Sequence, residues 1–402
     1  MTHTHRIAGT LAVVGASVVL AGCGESKPKT PVAETATTTG PRPATRTTVP
    51  AATTIDTTVD FGGVNPFAAS SPWNTPVQSL ERSRTSNSMI NEAAEQPVFR
   101  EDQTRLQAKP ENKNLAINLK GWAPGVYPVG AGEPVTLVCR QDPCGRVGDS
   151  IPREMRLGND LQADSAHDGW LVLVDQSTNT AYDLWRARRV GSTLSFEFFR
   201  KWTLDGDGVA VPATREPDRV PSVRGSGLPM LAGLIRPREA KAGRIPHTLA
   251  MAVPGPASQK FVLPAGTTNG LASTRSLPQG ARIRLKPSAF RRMNQRRIRS
   301  KEIVTINGKR QRSKRYIVQE GRRKRSKGAT AVLQALYTYG AIIVDRADSP
   351  TLYAQSNADW RNILSANSLS ELKLRDFEVV SLGRLYNDPA SPPRARASQE
   401  SR

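Results

Sequence analysis

The clearest pattern of apolar and polar positions lies between residues 169 and 202. "GWLVLVD" (169–175) is a short apolar run closed by the polar turn "QSTNT", and "AYDLWRA" (181–187) and "TLSFEFFRKW" (193–202) follow with apolar and polar residues in alternation. A period of two sends successive side chains to opposite faces of a strand, so these runs predict a β meander with one wetted face. Further apolar runs predict strands at 246–253, 260–264, 281–286, 341–347, 351–356 and 377–382. Helical spacing is scarcer. "ATAVLQALYTYG" sets Val332, Leu336 and Tyr339 on one face with Gly340 as a stop, and "PREAKAG" opens with proline and closes with glycine. From "FAASSPWNTPV" to about Val135 the chain reads as loop. Many short strands with few short helices predict a mainly β domain, an antiparallel β-sandwich or jelly-roll-like fold.

The two ends carry a different composition. Residues 1–22 have a polar start with Arg6 and an apolar stretch from Ile7 to Leu20, too short to span a membrane and shaped as a signal peptide. "LAGC" at 20–23 resembles the lipobox of bacterial lipoproteins. The resemblance implies cleavage before Cys23 and its lipidation, hence a membrane anchor on the extracellular face of the cell membrane. Residues 23–60 are rich in Thr, Pro and Ala, with too little apolar surface to offset the entropy of ordering. They read as a stalk that at about 3.1 Å per residue reaches on the order of 100 Å. The segment 387–402 reads as a disordered tail, leaving 61–386 as the globular domain.

Charge and cysteines refine the picture. The formal charge is +22, and 16 Lys or Arg against two Glu fall in the 37 residues 291–327. This basic insertion contains an Asn307-Gly308 turn between β-favouring runs, the signature of a hairpin. Such density attracts polyanions. Export and the lack of interleaved aromatics disfavour nucleic acid and leave acidic wall polymer or anionic lipid as partners, beside the bland reading of a solvated loop. Cys139 and Cys144 in "VCRQDPCG" suit a small disulfide-closed loop in an oxidising exterior better than a metal site, which would need more ligands. The chain carries no metal motif and no cofactor signature, and "DGDG" at 205–208 reads as a turn before a calcium loop.

Four histidines occur, and His3 and His5 fall in the signal peptide. His167 in "SAHDGWLVLVD" and His247 in "RIPHTLAMAV" each stand at a strand entrance. Either could serve as base or acid, or simply bond a buried carbonyl. Asp183 and Asp345 are the carboxylates that would orient them or form a glycosidase pair. Arg224 or Arg236 could hold a uronate carboxylate, and Trp73 or Trp185 could stack on a sugar or belong to the core. Glu239 stands in the stretch that precedes His247. "RGSGLP" lacks phosphate-loop spacing, and Ser226 becomes a nucleophile only if a histidine reaches it.

The order SPWN, HDG, YDLW, GSGLPMLAGLIRPRE, GRIPHTLA, a YGAIIVD strand and a late Trp360 resembles a family of exported proteins of high-GC Gram-positive bacteria over roughly 64–386, without the basic insertion. The resemblance implies matched positions at Trp73, Asn74, His167, Asp168, Asp183, Trp185, Arg236, Glu239, His247, Asp345 and Trp360, and a carbohydrate-directed role. Two expectations follow. One is a glycan-directed surface lipoprotein that cleaves or binds polysaccharide in a cleft with His167 and His247. The other is a non-enzymatic envelope-binding or structural lipoprotein that grips polyanion with its basic hairpin.

Overall fold

The computed structural model describes residues 59, 61, 65–95, 114–164, 166–213, 223–322 and 324–389, all within one contact unit that begins at Ile55. The expected signal peptide, Cys23, nearly all of the stalk and the tail from 390 lie outside the described residues.

The described chain opens with helix α1 (Ser86–Glu95), strand β1 (Ala116–Asn118) and the long strand β2 (Gly125–Cys139). Next come β3 (Glu154–Leu157), β4 (Leu171–Asp175), β5 (Thr180–Trp185), β6 (Arg188–Val190), β7 (Thr193–Phe196) and β8 (Phe198–Thr203). Helix α2 (Pro237–Ala242) precedes β9 (Leu249–Val253), β10 (Pro256–Val262), β11 (Leu277–Gln279), β12 (Arg282–Leu285) and helix α3 (Pro287–Asn294). Strands β13 (Gln295–Ile306) and β14 (Lys309–Arg322) lead to helix α4 (Lys327–Thr338) and to β15 (Ala341–Arg346), β16 (Thr351–Tyr353), β17 (Phe377–Val379) and β18 (Leu385–Asn387).

The domain is mainly β with a few short helices, as the patterning predicts. One large sheet runs β1-β16-β9-β15-β12-β17; the other runs β6-β7-β2-β4-β5-β8, with β3 on β2. They share a core in which Val172, Val174 and Ala181 meet Ala250, Ala252, Ile342 and Val344 around Trp73 and Met230. The alternate residues of the first sheet, including Leu249, Met251 and Ile343, pack under α1 and α4 through Met89, Ile90, Val332 and Leu336. The alternate residues of the second, Leu171, Leu173, Tyr182 and Leu184, pack with Leu157, Leu194 and Phe196. Both faces of the central strands are therefore dry, which is why "LVLV" and "AIIV" are unbroken apolar runs.

Two expectations need correction. The sheets are mixed: β9–β15 and β2–β4 pair in parallel, beside antiparallel pairs such as β5–β8. Long connections between those partners return the chain to the same end, as parallel pairing requires. The wetted face predicted for the meander survives in β7, where Leu194 and Phe196 point in, but β5 is buried along nearly all its length. Its polar Asp183 consequently faces the shared core.

Strand β2 falls where the sequence reads as loop. Its first residues, Gly125 to Pro128, pair with β4, and its last, Thr136 to Cys139, pair with β7. Between them the chain bends at Gly130 and Gly132, with φ of 103° and 95°, so the residues that look like strand breakers let one strand serve two ladders. The strand ends in the Cys139–Cys144 disulfide, with Cα atoms 6.0 Å apart.

The basic insertion forms a two-stranded hairpin, β13 with β14, turning at Asn307 and Gly308 with φ of 50° and 75°. Among the described strands these two pair only with each other. The base is fastened by Arg325, which donates to the Met293 carbonyl and sits 3.8 Å from Glu371. At the other end, the fold runs past the expected boundary at 386. Asn387 closes β18, and buried Asp388 accepts from Thr267 Oγ1 at 2.5 Å and Thr268 N at 2.8 Å. No helix among the described residues is long and apolar enough to cross a membrane.

The bend in β2 is testable. A Cβ at Gly132 would lie 2.2 Å from the Leu157 carbonyl oxygen, on a backbone that L residues rarely adopt. Gly132→Ala should lower unfolding free energy by about 2–4 kcal/mol in chemical denaturation. An unchanged midpoint would remove the bend from the list of structural constraints.

Candidate functional site

Three groups of side chains hold the residues singled out by sequence, and they do not merge into one cleft.

The first surrounds His247 at the entrance of β9. Helix α2 starts after Arg236 with Pro237 in its first turn, which brings Glu239 back onto Arg236. Arg236 grips that carboxylate with Nε to Oε2 at 2.9 Å and Nη2 to Oε1 at 2.6 Å, and Nη2 also donates to Asn65 Oδ1 at 2.8 Å. His247 completes the chain, its Nε2 3.1 Å from Glu239 Oε2 and its Nδ1 2.9 Å from the Thr248 carbonyl. Both ring nitrogens are thus taken up by oxygen atoms of the fold, and neither is left over for a substrate. Burial would raise the Glu239 carboxyl, but His247 and then Arg236 outweigh it and hold it down at about 2.

Trp73 and Asn74 border the same spot. Trp73 is buried with Nε1 on the Gly208 carbonyl at 3.0 Å, and Asn74 donates to the carbonyls of Pro66, Phe67 and Ala68. The depression lined by Trp73, Asn74, Arg236 and His247 encloses about 210 Å³ even with the solvent at its mouth. Ligand pockets begin at about 300 Å³, so this one is too small for a polysaccharide cleft.

The second group lies in the core between the sheets. Asp183 Oδ2 accepts from Trp202 Nε1 and from the Met230 amide, both at 2.8 Å. Arg224, 1% exposed, donates through Nη1 to the Pro229 carbonyl at 3.0 Å and stands 5.2 Å from the Tyr353 ring centre. Asp345 is turned toward it by a register shift in β15 and accepts from Asn269 Nδ2 at 2.8 Å. Burial pushes the Asp183 carboxyl up to about 6, against the Met230 amide, Arg224, Trp202 and Arg200, which favour its charged form. Burial likewise lowers Arg224, while Tyr353, Asp345 and Asp183 support its charge. Tyr353 is raised by burial and by Asp345. Ser226 Oγ is buried with no hydrogen-bond partner among the described residues, so no histidine activates it.

His167 belongs to a third, partly exposed group that sequence reading missed in part. Its Nδ1 lies 2.5 Å from Asp164 Oδ2, and its ring meets Trp122 edge-on with centroids 4.8 Å apart. The Asp three residues before the histidine in "DSAHDG" was the available signal; Trp122 in "GWAPG" gave none. Trp185 stands apart at the end of β5, with the Arg186 guanidinium 4.5 Å from its ring centre. The structure thus groups His247 with Arg236 and Trp73, and Asp183 with Arg224 and Asp345, where the sequence suggested a single cleft, and it shows no contact between His167 and His247. No group of three or more His, Cys, Asp or Glu among the described residues could hold a metal ion. No family model, curated protein or solved structure matches the chain.

Glu239 and Asp183 give opposite pH signatures. Glu239 falls from 4.5 to about 2 on folding, so its contribution is full above pH 4.5 and is lost as pH drops toward 2. Asp183 rises from 3.8 to about 6, so it favours folding below pH 3.8 and that contribution fades as pH climbs through 6. Each effect is on the order of 3 kcal/mol at most. Thermal melts against pH should lose the acid-side fall in Glu239→Gln and the decline toward pH 6 in Asp183→Asn. Slopes identical to wild type would contradict both assignments.

Proposed function

We propose that this protein is a surface lipoprotein, tethered through Cys23 on the extracellular face of the cell membrane, that holds acidic envelope polymer with its basic hairpin. The observation that carries the reading is the hairpin itself, a self-paired ribbon set on the domain with an exposed end. Lys309, Arg310, Arg312 and Arg315 are all exposed, and the 28 residues 295–322 hold ten Lys or Arg against two Glu. Eleven paired positions at about 3.3 Å each make a ribbon about 35 Å long. That length suits a repeating polyanion, whose many weak charge contacts add up along it better than a single small anion could.

The cleaving version of the glycan reading has less support. His247 spends both nitrogens on Glu239 and Thr248, and Asp183 is committed to Trp202 and Met230. Each set is buried inside the fold, where loss of one member would strand the charge of the others.

The test uses the full chain, immobilised polyglycerol phosphate and polygalacturonate, and dextran as the neutral control. Replacing 295–322 by two glycines should weaken polyanion binding at least about tenfold, and wild-type affinity should fall steeply between about 50 and 300 mM salt. Charge reversal at Lys309, Arg310, Arg312 and Arg315 should do most of the same. Unchanged affinity in the deletion would overturn the reading. Cys23→Ser should move the protein from the membrane fraction to the medium; retention in the membrane would remove the tether from the proposal.

A further inference from the structure

Trp122 stands out as an exposed aromatic among the described residues, 49% accessible, and it sits at φ 56°. A left-handed backbone is rare for a bulky side chain and costs about 1–3 kcal/mol, so the position combines local strain with a loss of apolar burial. The strap that holds it there is firm. Asn118 Nδ2 donates to the Trp122 carbonyl at 3.1 Å, and Lys120 Nζ donates to the carbonyls of Ser356 and Ala358 at 3.0 and 3.1 Å. Stability alone does not account for an indole fixed outward in this way.

Beside it stands His167, its side chain 31% accessible. Asp164 closes a turn on itself, Oδ1 accepting from the Ala166 amide at 3.2 Å and Oδ2 from His167 Nδ1 at 2.5 Å. A carboxylate can only accept, so Nδ1 is the donor in this pair, and among the described residues Nε2 has no hydrogen-bond partner. The ring lies close on the Gly121 backbone: a Cβ there would come within 2.7 Å of Cε1 and 3.1 Å of Nε2. Gly121 therefore lets the imidazole settle against the indole, with an interplanar angle of 61°.

We propose that Trp122, His167 and Asp164 form a binding subsite for a neutral pyranose unit of a polysaccharide. The apolar C–H face of a sugar ring covers the indole, and a ring hydroxyl, which can donate or accept, pairs with His167 Nε2 at its edge. The Asp164 carboxylate behind the imidazole disfavours an anionic sugar at this place. The subsite differs in location and chemistry from the hairpin, takes a neutral ligand where the hairpin takes a polyanion, and does not depend on it.

The full chain is titrated with chitohexaose, cellohexaose and maltohexaose, with trigalacturonate as the acidic comparison, by calorimetry and by quenching of tryptophan emission. At least one neutral hexamer should bind, and Trp122→Ala and His167→Ala should each weaken it by at least about tenfold. Gly121→Ala, which leaves the indole in place but displaces the imidazole, should weaken it severalfold. The Gly-Gly replacement of 295–322 should leave this affinity unchanged while losing polyanion binding, which separates failure of one site from failure of the other. Thermal midpoints of Trp122→Ala and His167→Ala should stay near wild type, since both side chains are at the surface. Failure of all three hexamers to bind, full affinity in Trp122→Ala, or tighter binding of trigalacturonate that depends on Trp122 would each overturn the proposal.

Discussion

Arg224 has lost water on every side, and the sandwich is arranged to answer that loss. A guanidinium in a dry interior is tolerated only where opposite charge and hydrogen-bond acceptors surround it. Here Asp183 comes from one sheet and Asp345 from the other, and the Pro229 carbonyl accepts from Nη1 beside the Tyr353 ring. The requirement reaches outward. It fixes which face of β5 meets the shared core, it fits the register shift that turns Asp345, and it pins the loop from Arg224 to Met230 between the sheets. Removal of one member of such a set costs about 3–5 kcal/mol because it strands the charge of the others.

The same economy separates the two histidines. His247 lies where chain entry into β9 would leave the Glu239–Arg236 pair partly buried, and its ring supplies the extra donor that the carboxylate needs. Its chemistry is consumed by the fold. His167 is held by a carboxylate on one nitrogen, and its side chain stays partly exposed. Both stand at strand entrances in sequence, so position along the chain could not distinguish them; burial and the identity of the second partner do.

Much of the architecture was legible where residues state their own environment. The meander of β4, β5 and β7–β8, the Asn307-Gly308 hairpin, the helix over Val332 and Leu336, and the Cys139–Cys144 bridge all follow from periodicity, turn chemistry or spacing. Failures cluster where two demands meet in one segment. Pro128, Gly130, Gly132 and Pro134 read as breakers because a strand that bends between two ladders needs them. Helix α3 was hidden because Pro287 serves as a helix start as readily as a turn. At the site level, local stretches drew Arg236, Glu239 and His247 together correctly, but the Asn65 bond to Arg236 spans 171 residues and left no local trace. Trp122 was invisible for the opposite reason: an exposed tryptophan on a strained turn looks, in sequence, like any loop aromatic.

The uneven charge now acquires a physical sense. The segment 291–327 carries a net +14 of the total +22, which leaves +8 for the other 365 residues. Ten of these cations lie on the two-stranded ribbon 295–322, against two Glu, and repel one another most strongly at low salt, where the Debye length of about 10 Å at 0.1 M lengthens further. Spread through the sandwich, that repulsion would erode the stability of the core. Held in a segment whose strands pair with each other and with no other described strand, it stays off the two large sheets. The most basic element is thereby kept apart from the charge-paired interior, whose own ions are matched residue by residue.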